Sequence, residues 1–240
     1  MLRYLTGGES HGKALTVIVD GFPAGVALDT ALIDAELKRR QGGYGRGGRQ
    51  RIETDVVDVL AGVWHGKTLG SPVTLQVVNK DYKLERLEDI ARPRPGHADL
   101  AGAVKYGAPV RAILERASAR ETTVRVAAGA LAKLILREFG ITVFGYVLEL
   151  GGIRAEPVSD NVEQRRSIRD ISPVYSLNPA VDSAIVELID ETGKEGDTLG
   201  GIVEVRVDGV PFGLGTHTQW DKKLRGRLAH AVMSVQAIWG

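Results

Sequence analysis

The sequence contains no cysteine among its 240 residues, which excludes disulfide bridges, thiolate metal ligands and a cysteine nucleophile. The formal net charge is only +1, because 31 basic residues are balanced by 30 acidic ones. The protein therefore has no overall positive field that would attract a polyanion. No apolar run is long enough to span a bilayer, and the opening MLRYLTGGESHGKAL lacks the pattern of a signal or transit peptide. These absences favour a cytoplasmic protein without a membrane anchor.

Glycine, by contrast, is abundant, with 30 residues in the chain against an average usage of about 7%. The glycines concentrate at 7–12, 42–48, 193–201 and 209–215, where they indicate shaped loops. Apolar residues make up 43% of the chain, which is enough to form a core. We therefore expect a globular protein whose loops bind a small molecule.

The hydrophobic pattern groups strands and helices in runs. Period-two and valine-rich patterns predict strands over 2–5, 15–20, 52–63, 73–78, 142–150 and 201–207, the first two forming a β-hairpin. Helical spacing predicts helices over 30–40, 109–139, 179–191 and 220–235, with caps at Asp29 or Thr30 and at Asn178, and with Asp99 capping a further helix. This grouping favours an α+β fold with antiparallel sheets over a doubly wound parallel sheet.

Two segments come close to the sequence of a phosphate-binding P-loop. GGESHGKA at 7–14 has the glycines and the lysine but ends in Ala14, and AGVWHGKT at 61–68 has alanine at its first position. A P-loop must open a helix, yet the first segment leads into a strand pattern and the second into the turn signal TLGSP. The residues therefore favour neither an ATPase nor a GTPase.

Two of the five histidines lie in turns that contain glycine. His11 follows Ser10, and His97 follows Gly96. A loop histidine is most often solvated or a capping residue, but it can also exchange a proton near neutral pH. The residues alone leave both interpretations open, and no pair of histidines has the spacing of a metal site.

The segment QGGYGRGGRQR at 41–51 lies in the most basic part of the chain. Five arginines occur between Glu36 and Glu53 with no acidic residue among them, namely Arg39, Arg40, Arg46, Arg49 and Arg51. A nucleic-acid-binding element would combine their charge with stacking by Tyr44. The segment occurs once, between a capped helix and a strand, whereas arginine-glycine RNA-binding segments are usually repetitive and disordered. Because arginine binds oxyanions bidentately, a compact polyanion is the preferred partner.

The segment LERASARETTVR at 114–125 carries charges three or four residues apart. One interpretation is a solvated helix face with weak ion pairs. The other is a ligand contact, because Ser118 and the small Ala117 and Ala119 would let a ligand approach the backbone closely.

Taken together and in this order, several segments resemble the chorismate synthase family. TGGESHGKAL with DGFPAGVAL is similar to its N-terminal signature, and RRQGGYGRGGRQRIETD is similar to its arginine-glycine signature. RPGHADLAGAVKYG and LERASARETTVRVAAGA resemble its central signature. GDTLGG and MSVQAIWG are also similar to segments of the family. The resemblance covers nearly the whole chain and is far more specific than any short motif.

The resemblance implies a carbon-oxygen lyase that converts 5-enolpyruvylshikimate 3-phosphate into chorismate and phosphate by trans 1,4-elimination, in the shikimate pathway of aromatic amino-acid biosynthesis. Its cofactor would be reduced FMN, with NADPH as the flavin reductant. The implied fold is a layered β-α-β sandwich with long central helices and antiparallel sheets, in which 1–240 form a single domain of a cytoplasmic homotetramer. No nucleic acid, membrane or metal ion is implied.

The resemblance also implies roles for individual residues. His11 would be the acid near the flavin, and His97 would protonate the departing phosphate. The substrate's phosphate and carboxylates would be held by Ser10, Arg40, Arg46 and Arg49, and the phosphate of the nicotinamide cofactor by Arg40 and Arg46. FMN would be contacted by Arg116, Ala117, Ser118, Gln236 and Ala237.

Some positions depart from the family pattern. Gly7 stands where alanine is usual, Val110 where a polar or acidic residue is common, and Trp239 where lysine is usual. The family continues beyond the equivalent of Gly240 with a Lys-Pro-Thr flavin loop, an arginine and an aspartate. Residues 1–240 alone are expected to bind flavin weakly, with little or no turnover. An inactive fragment and an arginine-glycine nucleic-acid-binding module are the alternative interpretations.

Overall fold

The computed structural model describes residues 2–47 and 52–240. The chain divides into two compact units. The first comprises Met1–Lys38, Ile52–Ile135 and Val210–Gly240, and the second comprises Arg39–Arg51 and Leu136–Gly209. The single domain expected over 1–240 stays a prediction.

The main sheet of the first unit is antiparallel throughout. Its strands are β1 Arg3–Gly7, β2 Ala14–Asp20, β4 Asp58–Ala61 and β7 Val73–Val78, in the order β1-β2-β7-β4. The predicted hairpin is confirmed, since β1 pairs with β2 and Thr6 lies opposite Val17. Leu15, Val17 and Val19 are buried, whereas Ile18 between them is exposed, which is the alternation that a one-sided sheet requires.

A smaller antiparallel sheet has the strands β3 Ala24–Ala27, β5 Val63–Trp64 and β6 Lys67–Leu69, in the order β3-β6-β5. The strand predicted over 52–63 is therefore shorter than expected and is split between two sheets. Gly62 causes the split, because its φ of 84° turns the chain between β4 and β5. A side chain there would also come within 2.5 Å of the Pro72 carbonyl.

In chain order, the α-helices are α1 Thr30–Gln41, α2 Asp99–Tyr106, α3 Val110–Ala117, α4 Thr122–Glu138, α5 Val162–Ile171, α6 Pro179–Glu195 and α7 Leu224–Met233. Helix α1 begins as predicted, because the Asp29 carboxylate accepts the Leu32 N–H at 3.1 Å. Ile33 and Leu37 of α1 and Leu131 of α4 form one core with the buried face of the main sheet.

The prediction of one long helix over 109–139 is wrong, because the chain breaks between α3 and α4. Ser118 is extended, with a ψ of 143°, and its hydroxyl accepts the Arg120 N–H at the start of a 3₁₀ turn over Ala119–Glu121. Arg120 is buried and its guanidinium binds the Asp55 carboxylate at 2.8 Å. The capping serine ends the helix, while the apolar spacing continues on both sides of it.

Two further helix predictions need correction. Asp99 does not cap α2, since Ala98 holds that position and the Asp99 carboxylate binds Arg94 instead. The helix predicted over 220–235 is interrupted at Lys223, which is extended between a 3₁₀ turn over Trp220–Lys222 and α7.

The second unit contains the antiparallel strands β8 Thr142–Leu150, β9 Ile153–Arg154 and β10 Gly201–Asp208, in the order β10-β8-β9. Phe144, Tyr146 and Leu148 alternate along β8 and pack with Leu177. Asn178 caps α6 as predicted, because its side chain accepts an N–H of the first turn. Helix α5 was not predicted, since its sequence VEQRRSIRDI is mostly polar.

Every strand pairing in these sheets is antiparallel, which confirms the predicted α+β class. Within the described ranges, no helix combines the length and the apolar character needed to cross a membrane.

Candidate active site

His11 lies in the loop that joins β1 to β2, and 19% of its side chain is exposed. The buried carboxylate of Glu115 on α3 accepts the His11 N–H at 2.8 Å and lies 2.9 and 3.0 Å from ring nitrogen Nδ1. Beside the ring, Asp81 Oδ2 lies 3.5 Å from Nε2, and Lys83 Nζ donates to the same carboxylate at 2.9 Å. The imidazole is therefore held between two carboxylates.

Buried polar side chains fix the loop that carries His11. Asn79 Nδ2 donates to the carbonyls of Glu9 and Gly12 at 3.2 and 2.8 Å. Asn79 Oδ1 in turn accepts from Arg120 Nε at 3.0 Å. Because buried polar groups destabilise a fold unless they are paired, this network favours one position for the loop.

Residues that are distant in sequence meet beside this loop. The Ser118 hydroxyl donates to Ser10 Oγ at 3.1 Å, although 108 positions separate the two serines. The Gln236 amide donates to the carbonyls of Ala117 and Ser118 at 3.5 and 3.4 Å. The Arg116 guanidinium donates to main-chain carbonyls of the same loop region at 3.0 Å. Within the first unit, the structure thus brings together His11, Ser10, Arg116, Ala117, Ser118, Gln236 and its neighbour Ala237.

His97 lies in an exposed turn before α2, where its Nδ1 is 3.0 Å from the Pro95 carbonyl oxygen. The buried Asp99 carboxylate holds this turn by accepting the Arg94 N–H and two guanidinium N–H groups at 3.0 to 3.1 Å. The side-chain hydrogen bonds from Arg94 lower the pKa of Asp99 to about 2. Among the described residues, no hydrogen bond joins His97 to His11.

Arg40 and Arg46 belong to the second unit, Arg40 in the last turn of α1 and Arg46 in an exposed loop. Beside Arg40, burial and then the positive charge of Arg169 lower the pKa of Arg39. The negative charge of Asp170 acts in the opposite direction, so the surroundings of Arg39 carry charges of both signs. The predicted substrate contact Arg49 lies outside the described residues.

The described part of the arginine-glycine segment is folded. The Tyr44 N–H donates to the Pro173 carbonyl at 2.7 Å, and the Tyr44 hydroxyl donates to Asp190 at 2.9 Å. Tyr44, Arg46 and Asp190 line a cavity of about 450 Å³. A tyrosine engaged in this way is unlike the free aromatic side chains of a disordered RNA-binding segment, which argues against the nucleic-acid interpretation.

Sequence reasoning missed the two acids and the one amide that contact His11 or its loop. Glu115, Asp81 and Asn79 carry no local signature of this role, because a glutamate on an amphipathic helix is more often solvated. Glu115 does directly precede Arg116 in the central signature, but its burial could not be inferred from that position.

The cluster can exchange a proton and bind an oxyanion. The imidazole of His11 can donate or accept a proton, and the exposed guanidinium of Arg116 can donate to phosphate or carbonyl oxygens.

Comparisons with known proteins point to one family. A family model described as Chorismate synthase matches residues 2–240. The chain is 51% identical over 255 residues to the chorismate synthase of Listeria welshimeri, and 51% identical over 252 residues to that of Trichlorobacter lovleyi. These alignments cover 100% of this chain, and 66% and 64% of the relatives. A crystal structure of a chorismate synthase superposes with a TM-score of 0.83 at 42% identity, covering 100% of this chain and 66% of that one.

Proposed function

The chain belongs to the chorismate synthase family, and we propose that the protein converts 5-enolpyruvylshikimate 3-phosphate into chorismate and phosphate. The observation that carries this proposal is the meeting of His11, Ser10, Ser118 and Gln236 beside one loop. The family resemblance names these residues one by one, and contacts across more than a hundred positions of sequence bring them together.

The reaction breaks the allylic bond between carbon and the phosphate oxygen and removes a proton from another ring carbon. The electron pair of that C–H bond enters the ring as the double bonds rearrange, so no net redox change occurs. Negative charge develops on the departing phosphate, which a proton donor and guanidinium groups stabilise. We assign the proton donor to His97 and the oxyanion contacts to Ser10, Arg40, Arg46 and Arg49.

The surface beside Ser118 fits a flavin. Arg116 and Gln236 are exposed and offer donors for the phosphate and ring carbonyl oxygens of FMN. Ala117 and Ala237 are small and exposed, which leaves room for a planar ring near the backbone. Reduced FMN bound there would supply an electron-rich ring beside the electron-poor ring of the substrate.

His11 is the residue that we assign as the acid beside the flavin site. Its loop is joined to that surface by the Ser10–Ser118 hydrogen bond and by the Ser10 N–H, which donates to the Glu115 carbonyl at 2.9 Å. A proton held on its ring would therefore lie next to the cofactor.

Family membership also supports the remaining assignments. We propose NADPH as the flavin reductant, with its phosphate at Arg40 and Arg46, and a homotetramer in the cytoplasm as the working assembly.

An anaerobic assay of the protein expressed from its natural coding sequence tests the proposed function. With chemically reduced FMN and 5-enolpyruvylshikimate 3-phosphate, chorismate and phosphate should form in equal amounts, whereas oxidised FMN should yield neither. Fluorescence titration with FMN provides the control for cofactor binding. Protein that binds reduced FMN and substrate but forms no chorismate would contradict the proposal.

A further inference from the structure

We propose that Glu115 is the positioning residue of His11, because its carboxylate keeps the hydrogen on Nδ1 and so makes Nε2 the nitrogen that exchanges protons. The kinetic part of this inference rests on the proposed function. The pairing itself can be measured without turnover.

Glu115 binds the His11 loop through both its backbone and its side chain. Its carbonyl oxygen accepts the Ser10 N–H at 2.9 Å, and its Oε2 accepts the His11 N–H at 2.8 Å. Both carboxylate oxygens also face ring Nδ1, at 3.0 and 2.9 Å. Since the Glu115 side chain is 0% exposed, its charge depends on these partners, because a buried charge destabilises the fold unless it is paired.

The other charged groups that face this pair approach it less closely. Arg111, one turn earlier on α3, lies 3.6 Å from Glu115, and its Nε donates to the Glu88 carbonyl at 2.9 Å. Asp81 lies 3.5 Å from His11 Nε2 and is itself bound by Lys83. Among the described residues, the shortest polar contact of the ring is therefore the one with Glu115.

The direction of proton exchange follows from this geometry. An ionised carboxylate can only accept hydrogen bonds, so Nδ1 must carry the hydrogen that it shares with Glu115. The protonated ring then releases its Nε2 proton, on the side that faces Asp81 at 3.5 Å, and regains a proton at the same nitrogen. Carboxylates that orient histidines in this way are common in enzymes. Here the carboxylate comes from a helix 104 positions away in sequence.

The Glu115→Gln variant tests the inference, because it keeps the side-chain size but removes the charge, and its amide can donate to Nδ1. In ¹⁵N NMR of histidine-labelled protein, the neutral His11 ring should change from the Nδ1–H to the Nε2–H tautomer. The signal is assigned by its loss in His11→Asn. In the anaerobic assay, kcat for chorismate should fall about tenfold or more with little change in KM. Glu115→Asp, which retains a carboxylate, should keep the Nδ1–H tautomer and recover part of kcat.

Glu121→Gln is the matched control, because Glu121 is also buried but binds Thr6 and Arg125 instead of His11. It should leave the tautomer and kcat unchanged. A Glu115→Gln variant that keeps the Nδ1–H tautomer overturns the inference, whether or not kcat falls. If that variant does not fold, an Nε2–H tautomer in Glu115→Asp overturns it. A tautomer change in a protein whose wild type forms no chorismate supports the pairing and contradicts the proposed function instead.

Discussion

Buried acids hold the loops of both histidines that we assign as proton donors. Glu115 binds the loop of His11, and Asp99 binds Arg94 in the turn that carries His97. Both acids are almost fully buried, at 1% and 0% exposure. A carboxylate on a helix thus holds the loop or turn of each histidine, from α3 for His11 and from α2 for His97.

Asp99 should make the stability of the protein depend on pH in the acid range. Its hydrogen bonds with Arg94 lower its pKa to about 2 in the folded protein, whereas an unfolded aspartate titrates near about 3.9. The stabilisation is therefore complete above about pH 4 and is lost as the pH falls from about 4 to about 2. In thermal unfolding, Asp99→Asn should lower the Tm at neutral pH by roughly 2–8 °C, and its difference from wild type should shrink towards pH 2.

Asp221→Asn is the control for this prediction, because Asp221 is exposed. Its Tm should follow that of the wild type at every pH. If the Tm of Asp99→Asn lies as far below that of wild type at about pH 2 as at neutral pH, the Asp99 charge does not contribute to the stability of the fold.

Arg120 should be needed for stability because it neutralises a buried acid. Only 7% of Arg120 is exposed, and its guanidinium binds Asp55 and Asn79. Arg120→Met leaves the Asp55 charge without this partner, so the free energy of unfolding should fall by about 3–5 kcal/mol in chemical denaturation. The exposed Arg225→Met should change it by less than about 0.5 kcal/mol. If the two substitutions lower the free energy of unfolding equally, the contacts of Arg120 with Asp55 and Asn79 do not stabilise the protein.

At the scale of elements, the loop after β1 requires glycine at one position and not at its neighbour. Gly8 has a φ of 102°, and a Cβ there would lie 2.3 Å from the Ala14 carbonyl oxygen. At Gly7, none of the described residues places an atom within 4 Å of a built Cβ. Gly8→Ala should therefore lower the free energy of unfolding by about 1–3 kcal/mol.

Gly7→Ala is the matched control, because a Cβ built at Gly7 meets none of the described atoms within 4 Å. It should leave the stability unchanged or raise it by up to about 1 kcal/mol, because alanine restricts the unfolded chain. Similar losses in the two variants, measured by the same denaturant titration, would mean that the Gly8 conformation is not what stabilises this loop.

The break at Ser118 shows how far hydrophobic spacing can predict the elements. Spacing records which face of a helix is buried, and both sides of the break continue the same pattern, so the sequence predicts one helix. The caps at Asp29 and Asn178 could be predicted because capping is a local interaction. Each side chain accepts an N–H from the first turn of the helix that follows it. The break instead places Arg120 beside Asp55, 65 positions away, and no local pattern reports such a partner.

At the scale of the whole molecule, long ordered signatures identified the family and predicted several residues that the structure places together beside the His11 loop. The signatures named Ser10, His11 and Ser118 without showing that they meet. Their meeting depends on α3 lying against the β1–β2 loop, which is a tertiary contact. The role of Glu115 depends on the same contact, since burial and a histidine partner distinguish it from a solvated glutamate.

The central claim, that the His11 loop forms the active site, is tested most directly by the rate of chorismate formation in a His11→Ala variant. The variant is expressed from the natural coding sequence and assayed anaerobically with saturating reduced FMN and substrate. The proposed function predicts a kcat at least about 100-fold below wild type, while His65→Ala, at an exposed histidine beside Trp64, keeps the wild-type rate. A folded, FMN-binding His11→Ala variant whose kcat equals that of wild type would contradict the claim.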